Sequence, residues 1–160
     1  MRSDILNSNS DLYNTKKIAI DYINNVAATT RTLLAEESGT IFLVDMSAVD
    51  NNVTITLPAA ASSAGCYYEF IYTANCDDDA DFAVTTGDND IDIYGYVVRG
   101  GANSTVLDVD GLSKVTVDGS ASQATEGLRL TFLCDGTNWH LSGYSAVVVG
   151  TALITESASA

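Results

Sequence analysis

The chain has 160 residues, with 21 acidic side chains against seven basic ones and a net charge of −14. That length suits one domain, which can bury enough surface to need neither metal nor disulfide for its core. The basic residues Arg2, Lys16, Lys17, Arg31, Arg99, Lys114 and Arg129 are scattered, which argues against a nucleic-acid face and against anionic membranes.

Residues 1–30 read differently from the rest. Met1 to Asp11 lacks the apolar stretch of a secretory signal, and no run in the chain reaches membrane-spanning length. Between Lys16 and Val26, Ile18, Tyr22 and Val26 recur every fourth residue with Ile23 beside them, as on a helix. Ile18, Ile20 and Tyr22 also alternate, as on a strand. The segment reads as a non-β or extended N-terminal arm that packs on a neighbour, or as a helix packed on its own domain. Its candidate interface residues are Ile18, Ile20, Tyr22 and Ile23.

From residue 31 to 160 the rhythm has period two. Arg31 to Leu34 leads into a turn at Glu37-Ser38-Gly39, and Ile41 to Asp45 reads as a strand. Val53, Ile55 and Leu57 share one face of the next strand, which Pro58 stops. Ala59 to Gly65 is a small-residue loop. The aromatic run Tyr67 to Tyr72 predicts a central strand with Phe70 in the core. Strands at Phe82 to Thr86 and at Ile91 to Val98, the latter interrupted by Gly95, follow the acidic loop Asp77 to Asp81. Asp110-Gly111 between Thr105–Val109 and Lys114–Asp118 predicts a tight hairpin. Leu128, Leu130, Phe132 and Cys134 share a face, and Trp139 to Ser142 pairs back across Asp135-Gly136. The run Ala146 to Ile154 offers one more strand. Roughly eight to ten short strands at this spacing predict an all-β, antiparallel sandwich or jelly roll. The core residues it implies are Val53, Ile55, Leu57, Phe70, Leu128, Leu130, Phe132 and Trp139.

Few residues point to chemistry. His140 is the one histidine, beside Trp139 in a strand, and no nucleophile elbow is present. Asp88, Asp90 and Asp92 have the opening spacing of a calcium loop. Ile93 stands where that loop needs glycine and Arg99 where it needs a bidentate glutamate. The run Asp77 to Asp81 reads as a solvated loop, with weak calcium binding as the alternative. No pair among the 21 acids stands out as a glycosidase dyad. Cys66, Cys76 and Cys134 have no metal spacing and read as reduced, buried thiols, with a Cys66–Cys76 disulfide as the alternative. Tyr67, Tyr68, Tyr72, Tyr94, Tyr96 and Tyr144 serve either the core or a binding platform. No catalytic residue, cofactor or metal ligand is assigned, and an enzyme is not expected.

Two stretches carry a resemblance. One runs from Thr32 through Glu37-Ser38-Gly39 to Asp45 and on to Val53-Thr54-Ile55-Thr56-Leu57-Pro58. The other is Asp135-Gly136-Thr137-Asn138-Trp139-His140-Leu141-Ser142-Gly143. Together they resemble the opening and closing motifs of small β-sandwich capsid decoration (cement) proteins of tailed phages, a pattern shared with tail-fibre β domains. Cys134 and His140 depart from it, where serine and tyrosine are usual. The resemblance implies a virion protein on the outer capsid surface, trimeric, bridging capsomers, with the major capsid protein and its own copies as partners. The alternative it leaves open is a tail-fibre or receptor-binding head that recognises host glycans.

Overall fold

A computed structural model describes residues 18–48, 51–76, 80–88, 91–100, 105–119, 126–145 and 154–158. The fold is all-β. Among the described residues helix is limited to two short 3-10 turns, Ala35–Glu37 and Ala60–Ser62. The strands are β1 (Ile20–Asn24), β2 (Thr29–Thr32), β3 (Ile41–Asp45), β4 (Val53–Thr56), β5 (Tyr67–Tyr72), β6 (Phe82–Thr85), β7 (Ile93–Arg99), β8 (Thr105–Val117), β9 (Arg129–Cys134), β10 (Trp139–Ser145) and β11 (Ile154–Ala158).

They form one continuous sheet in the order β1-β3-β5-β9-β10-β7-β8-β6-β4-β2, with β11 added on β8. The all-antiparallel pairing expected from the short strands does not hold. The pairs β1–β3, β3–β5, β2–β4, β4–β6 and β10–β7 are parallel. A parallel pair needs a crossover between its strands. In the first four of these pairs the crossover is itself a strand of the facing wall: the chain alternates between the two walls from β1 to β6 and so winds through three coils. Between β7 and β10 the chain passes through β8 and β9 instead. Val53 N donates to Asp81 O at 2.9 Å and Leu57 N to Thr85 O at 2.8 Å, stacking one coil on the next. At the corners the buried Asn25 donates through Nδ2 to Met46 O and accepts at Oδ1 from Ala48 N, each at 3.0 Å.

The sheet curls so that its two arms face each other. Phe70 of β5 and Phe82 of β6 lie far apart along the path, yet their rings are 5.5 Å apart, and Tyr72 meets Phe82 edge-on at 5.9 Å. Val53, Ile55, Leu57, Phe70, Leu128, Leu130, Phe132 and Trp139 are all buried between the arms, with Phe42, Tyr68 and Tyr72. Each such side chain contributes about 1.5–3 kcal/mol by leaving water. The open end of the curl, where β1 and β2 form the two edges, is closed by Arg31. Its guanidinium bonds Asp21 at 2.7 Å and Glu37, and lies 5.2 Å from the centre of the Phe42 ring.

Three expectations are corrected. Among the described residues the sheet takes in Ile20–Asn24 and Thr29–Thr32, which start ahead of residue 31, because β1 pairs with β3 and β2 with β4; residues 1–17 of the expected arm lie outside the described residues. Ile23 is not at a surface: strand alternation turns it inward, and it is 5 % exposed. Asp110-Gly111 makes no hairpin. β8 runs straight through it with Gly111 at φ +69, and Ile93 and Gly95 of β7 face Leu112 and Val109. One extra residue on β8 makes a bulge, for which a left-handed glycine is suited. The flanking segments bond different strands, β7 on one side of the bulge and β6 on the other, so they are not free to pair with each other. Of the expected strand at Ala146 to Ile154, only Ile154 is described, as the first residue of β11; residues 146–153 lie outside the described residues.

Candidate functional site

The outward positions of β1, β3, β5, β9, β10 and β7 form one continuous surface, which the strand register resolves into rows. Ile20 stands beside Ile41 and then Glu69; Tyr22 stands beside Leu43 and then Ile71. This end of the surface is apolar. Ile18, Ile20 and Tyr22 are 61 %, 57 % and 72 % exposed, and β1 is an edge strand paired only to β3. Val26, beyond β1, is exposed as well. The helical reading of this segment is therefore replaced by the alternating one. On the opposite wall the outward positions of β2 and β4 are Thr30, Thr32, Thr54 and Thr56, so these two strands carry no matching apolar patch.

Further along the same surface lies a tyrosine-walled trough. Its rows run across β5, β9, β10 and β7. The first is Tyr67, Leu133, His140, Tyr94; the second is Glu69, Thr131, Ser142, Tyr96; the third is Ile71, Arg129, Tyr144, Val98. Thr131 and Ser142 are the smallest side chains in the grid and make its floor. Larger groups rise around them, leaving two adjoining hollows of about 460 and about 360 Å³ that share Thr131, Ser142 and Tyr96. Tyr96 and Tyr144 are half exposed.

The walls are held by hydrogen bonds. Tyr67 donates its hydroxyl to Glu69 Oε2 at 3.1 Å, and Arg129 donates from Nη1 to Glu69 Oε1 at 3.2 Å. Partial burial and then the Glu69 bond push the Tyr67 hydroxyl up from its ordinary range. Tyr94 donates to Asp92 Oδ2 at 3.0 Å, and that bond raises it too. His140 Nε2 lies 2.8 Å from Asp135 Oδ2. Asp135 also accepts at Oδ1 from the Thr137 and Asn138 amides, which, with His140, hold its carboxyl down at about 2. Two of the six tyrosines singled out in the sequence, Tyr68 and Tyr72, are in the core; Tyr67, Tyr94, Tyr96 and Tyr144 meet at this trough.

Gly95 positions the trough's β7 wall. Its φ is +147, and a Cβ there would stand 1.8 Å from Leu141 O, so β7 can lie this close to β10 only with glycine at that point. Among the described residues no group of three or more His, Cys, Asp or Glu is gathered as a metal site requires. Residues 77–79, 89 and 90 of the acidic loops lie outside the described residues. Cys66, Cys76 and Cys134 are buried and in no disulfide, so the Cys66–Cys76 bond does not form. No protein-family model matches the chain, and no curated protein matches it.

Proposed function

We propose that the chain is a structural virion protein that decorates the outside of a phage capsid as trimers bridging capsomers. The observation that carries this reading is the apolar surface of β1, β3 and β5 at an edge of the sheet on an acidic molecule. Contiguous exposed apolar patches mark contact with another protein, and the exposed Ile20 and Tyr22, with the half-buried Ile41, Leu43 and Ile71 beside them, make such a patch at an edge strand. The charge of −14 keeps free copies apart, while many modest contacts add on a shell that repeats the same site. The virion assignment itself rests on the resemblance of residues 32–58 and 135–143 to decoration-protein motifs. The fold joins those two stretches: Tyr68 bonds Leu34 and packs on Trp139.

The test is occupancy on particles of the encoding phage stripped of this protein. Ile20→Lys with Tyr22→Lys changes two exposed side chains, so melting should be unchanged while binding falls at least tenfold. Full occupancy by this variant would sink the reading. Bound wild-type protein should number hundreds of copies per particle; a dozen or so would place it at the tail instead.

A further inference from the structure

We propose that the trough over Thr131 and Ser142 is a carbohydrate-binding site for a neutral oligosaccharide. It adjoins the apolar surface through which decoration is argued, meeting it at Glu69 and Ile71, and it does not depend on that reading. Three observations carry it.

The first is shape. The grid spans four strands and three rows, about 14 Å across the strands and about 13 Å along them. That is room for a short, flat chain lying in an open groove, and a poor fit for a single small apolar ligand, which would be buried on all sides.

The second is the chemistry of the lining. A sugar ring presents a face of weakly positive C–H groups and a rim of hydroxyls. Tyrosine answers both needs, because its ring face is negative and its tip is polar. Tyr96 and Tyr144 stand half exposed on neighbouring strands, one row apart. Beside them, along the row that Tyr96 ends, the floor offers the Ser142 and Thr131 hydroxyls, each able to donate and accept. Beside the floor Glu69 and Arg129 present planar polar groups already locked by their mutual bond and by Tyr67, so little side-chain freedom is lost on binding.

The third is charge. Arg129 is the only Lys or Arg among the groups lining the two hollows, and Glu69 neutralises it. Asp92 and Asp135 stand at the ends of the bonds from Tyr94 and His140. With a net charge of −14 around it, the trough repels uronates, sialic acids and phosphorylated glycans. That selects neutral sugars.

The experiment is affinity electrophoresis of the full chain through gels holding dextran, galactomannan or xylan, with alginate and hyaluronate as the anionic probes. At least one neutral polysaccharide should retard the wild type. Tyr96→Ala and Tyr144→Ala should each weaken that retardation at least tenfold with unchanged melting, whereas Tyr96→Phe, which keeps the ring, should retain most of it. Thr54→Ala on the opposite wall should change nothing. Retardation by the anionic polymers alone, by none, or undiminished from wild type in the two alanine variants would overturn the proposal. So would loss of capsid occupancy in Tyr96→Ala, because the trough would then be a shell contact. Loss of occupancy confined to Ile20→Lys with Tyr22→Lys leaves the two sites distinct.

Discussion

The Tyr68 ring lies 5.8 Å from the Trp139 ring, and its hydroxyl donates to Leu34 O at 2.7 Å, so one side chain ties the first coil to the closing hairpin. Both rings are fully buried. Trp139→Ala should therefore cost about 3–5 kcal/mol in denaturant unfolding. Tyr68→Phe should cost only about 1 kcal/mol, because Leu34 O still accepts from Glu37 N when the hydroxyl is gone. Equal losses for the two variants would show that the tyrosine's bond, not its ring, holds this contact.

Arg31 closes the open end of the curl, and its bond to Asp21 holds that carboxyl below the ordinary 3.8. A depressed carboxylate stabilises the fold above its unfolded value and stops doing so as pH falls through its folded one. Asp21 is largely exposed, so solvent screening keeps its share small. With the Phe42 contact included, Arg31→Met should cost about 1–2 kcal/mol near neutral pH. The gap between wild type and variant should be flat above about pH 5 and narrow below about pH 4. Urea unfolding across that range checks it.

Asp135 titrates in the same sense through a different partner set. Its carboxyl is held at about 2 by the Asn138 amide first, with His140 and the Thr137 amide adding to it. The hairpin's contribution from this group is thus whole above about 3.8 and fades as pH falls toward about 2. A carboxyl carbon titration by NMR should find the low midpoint, and Asp135→Asn should remove that part of the acid dependence. A midpoint at the ordinary value would mean that the amides do not hold the charged form.

Gly95→Ala should be among the most damaging single changes. The new methyl meets Leu141 O within bonding distance, on a backbone conformation that disfavours any side chain. Strain and overpacking together should cost about 2–5 kcal/mol, read as a lower denaturation midpoint or loss of soluble protein. A Gly39→Ala control meets no neighbour and should cost less.

The three thiols offer a fifth check. All are buried, and burial raises the Cys134 thiol above its ordinary range. The native protein should be inert to a thiol reagent over minutes, and three equivalents should react after denaturation.

Alternation alone marks the inner faces of β4 and β9, because Val53, Ile55 and Leu130, Phe132 repeat with the period of the pleat. It carries no record of which strand pairs with which. The coils escape notice in the sequence because their lengths differ: Ile20 stacks on Ile41, 21 residues on, and Ile41 on Glu69, 28 residues on. No fixed period exists to be found. Asp110-Gly111 misleads for a related reason, since the same left-handed glycine serves a hairpin or a bulge and only the neighbours decide. The tyrosine trough is half legible. The tyrosines stand out in composition, but their meeting depends on β7 lying parallel to β10, a long-range pairing that local pattern does not encode.

Among the described residues, strand pairing joins the two arms of the sheet only where β10 meets β7. β10 is also made after nine of the other ten strands. A chain growing from its N-terminus therefore makes all three coils while Phe70 still lacks the Phe132 ring and Tyr68 the Trp139 ring that pack on them. Folding of this kind is governed by contacts distant in sequence and is slow, and its half-built form is prone to self-association. The strand that bears one side of the trough is thus also the zipper whose late arrival sets when the whole molecule can close.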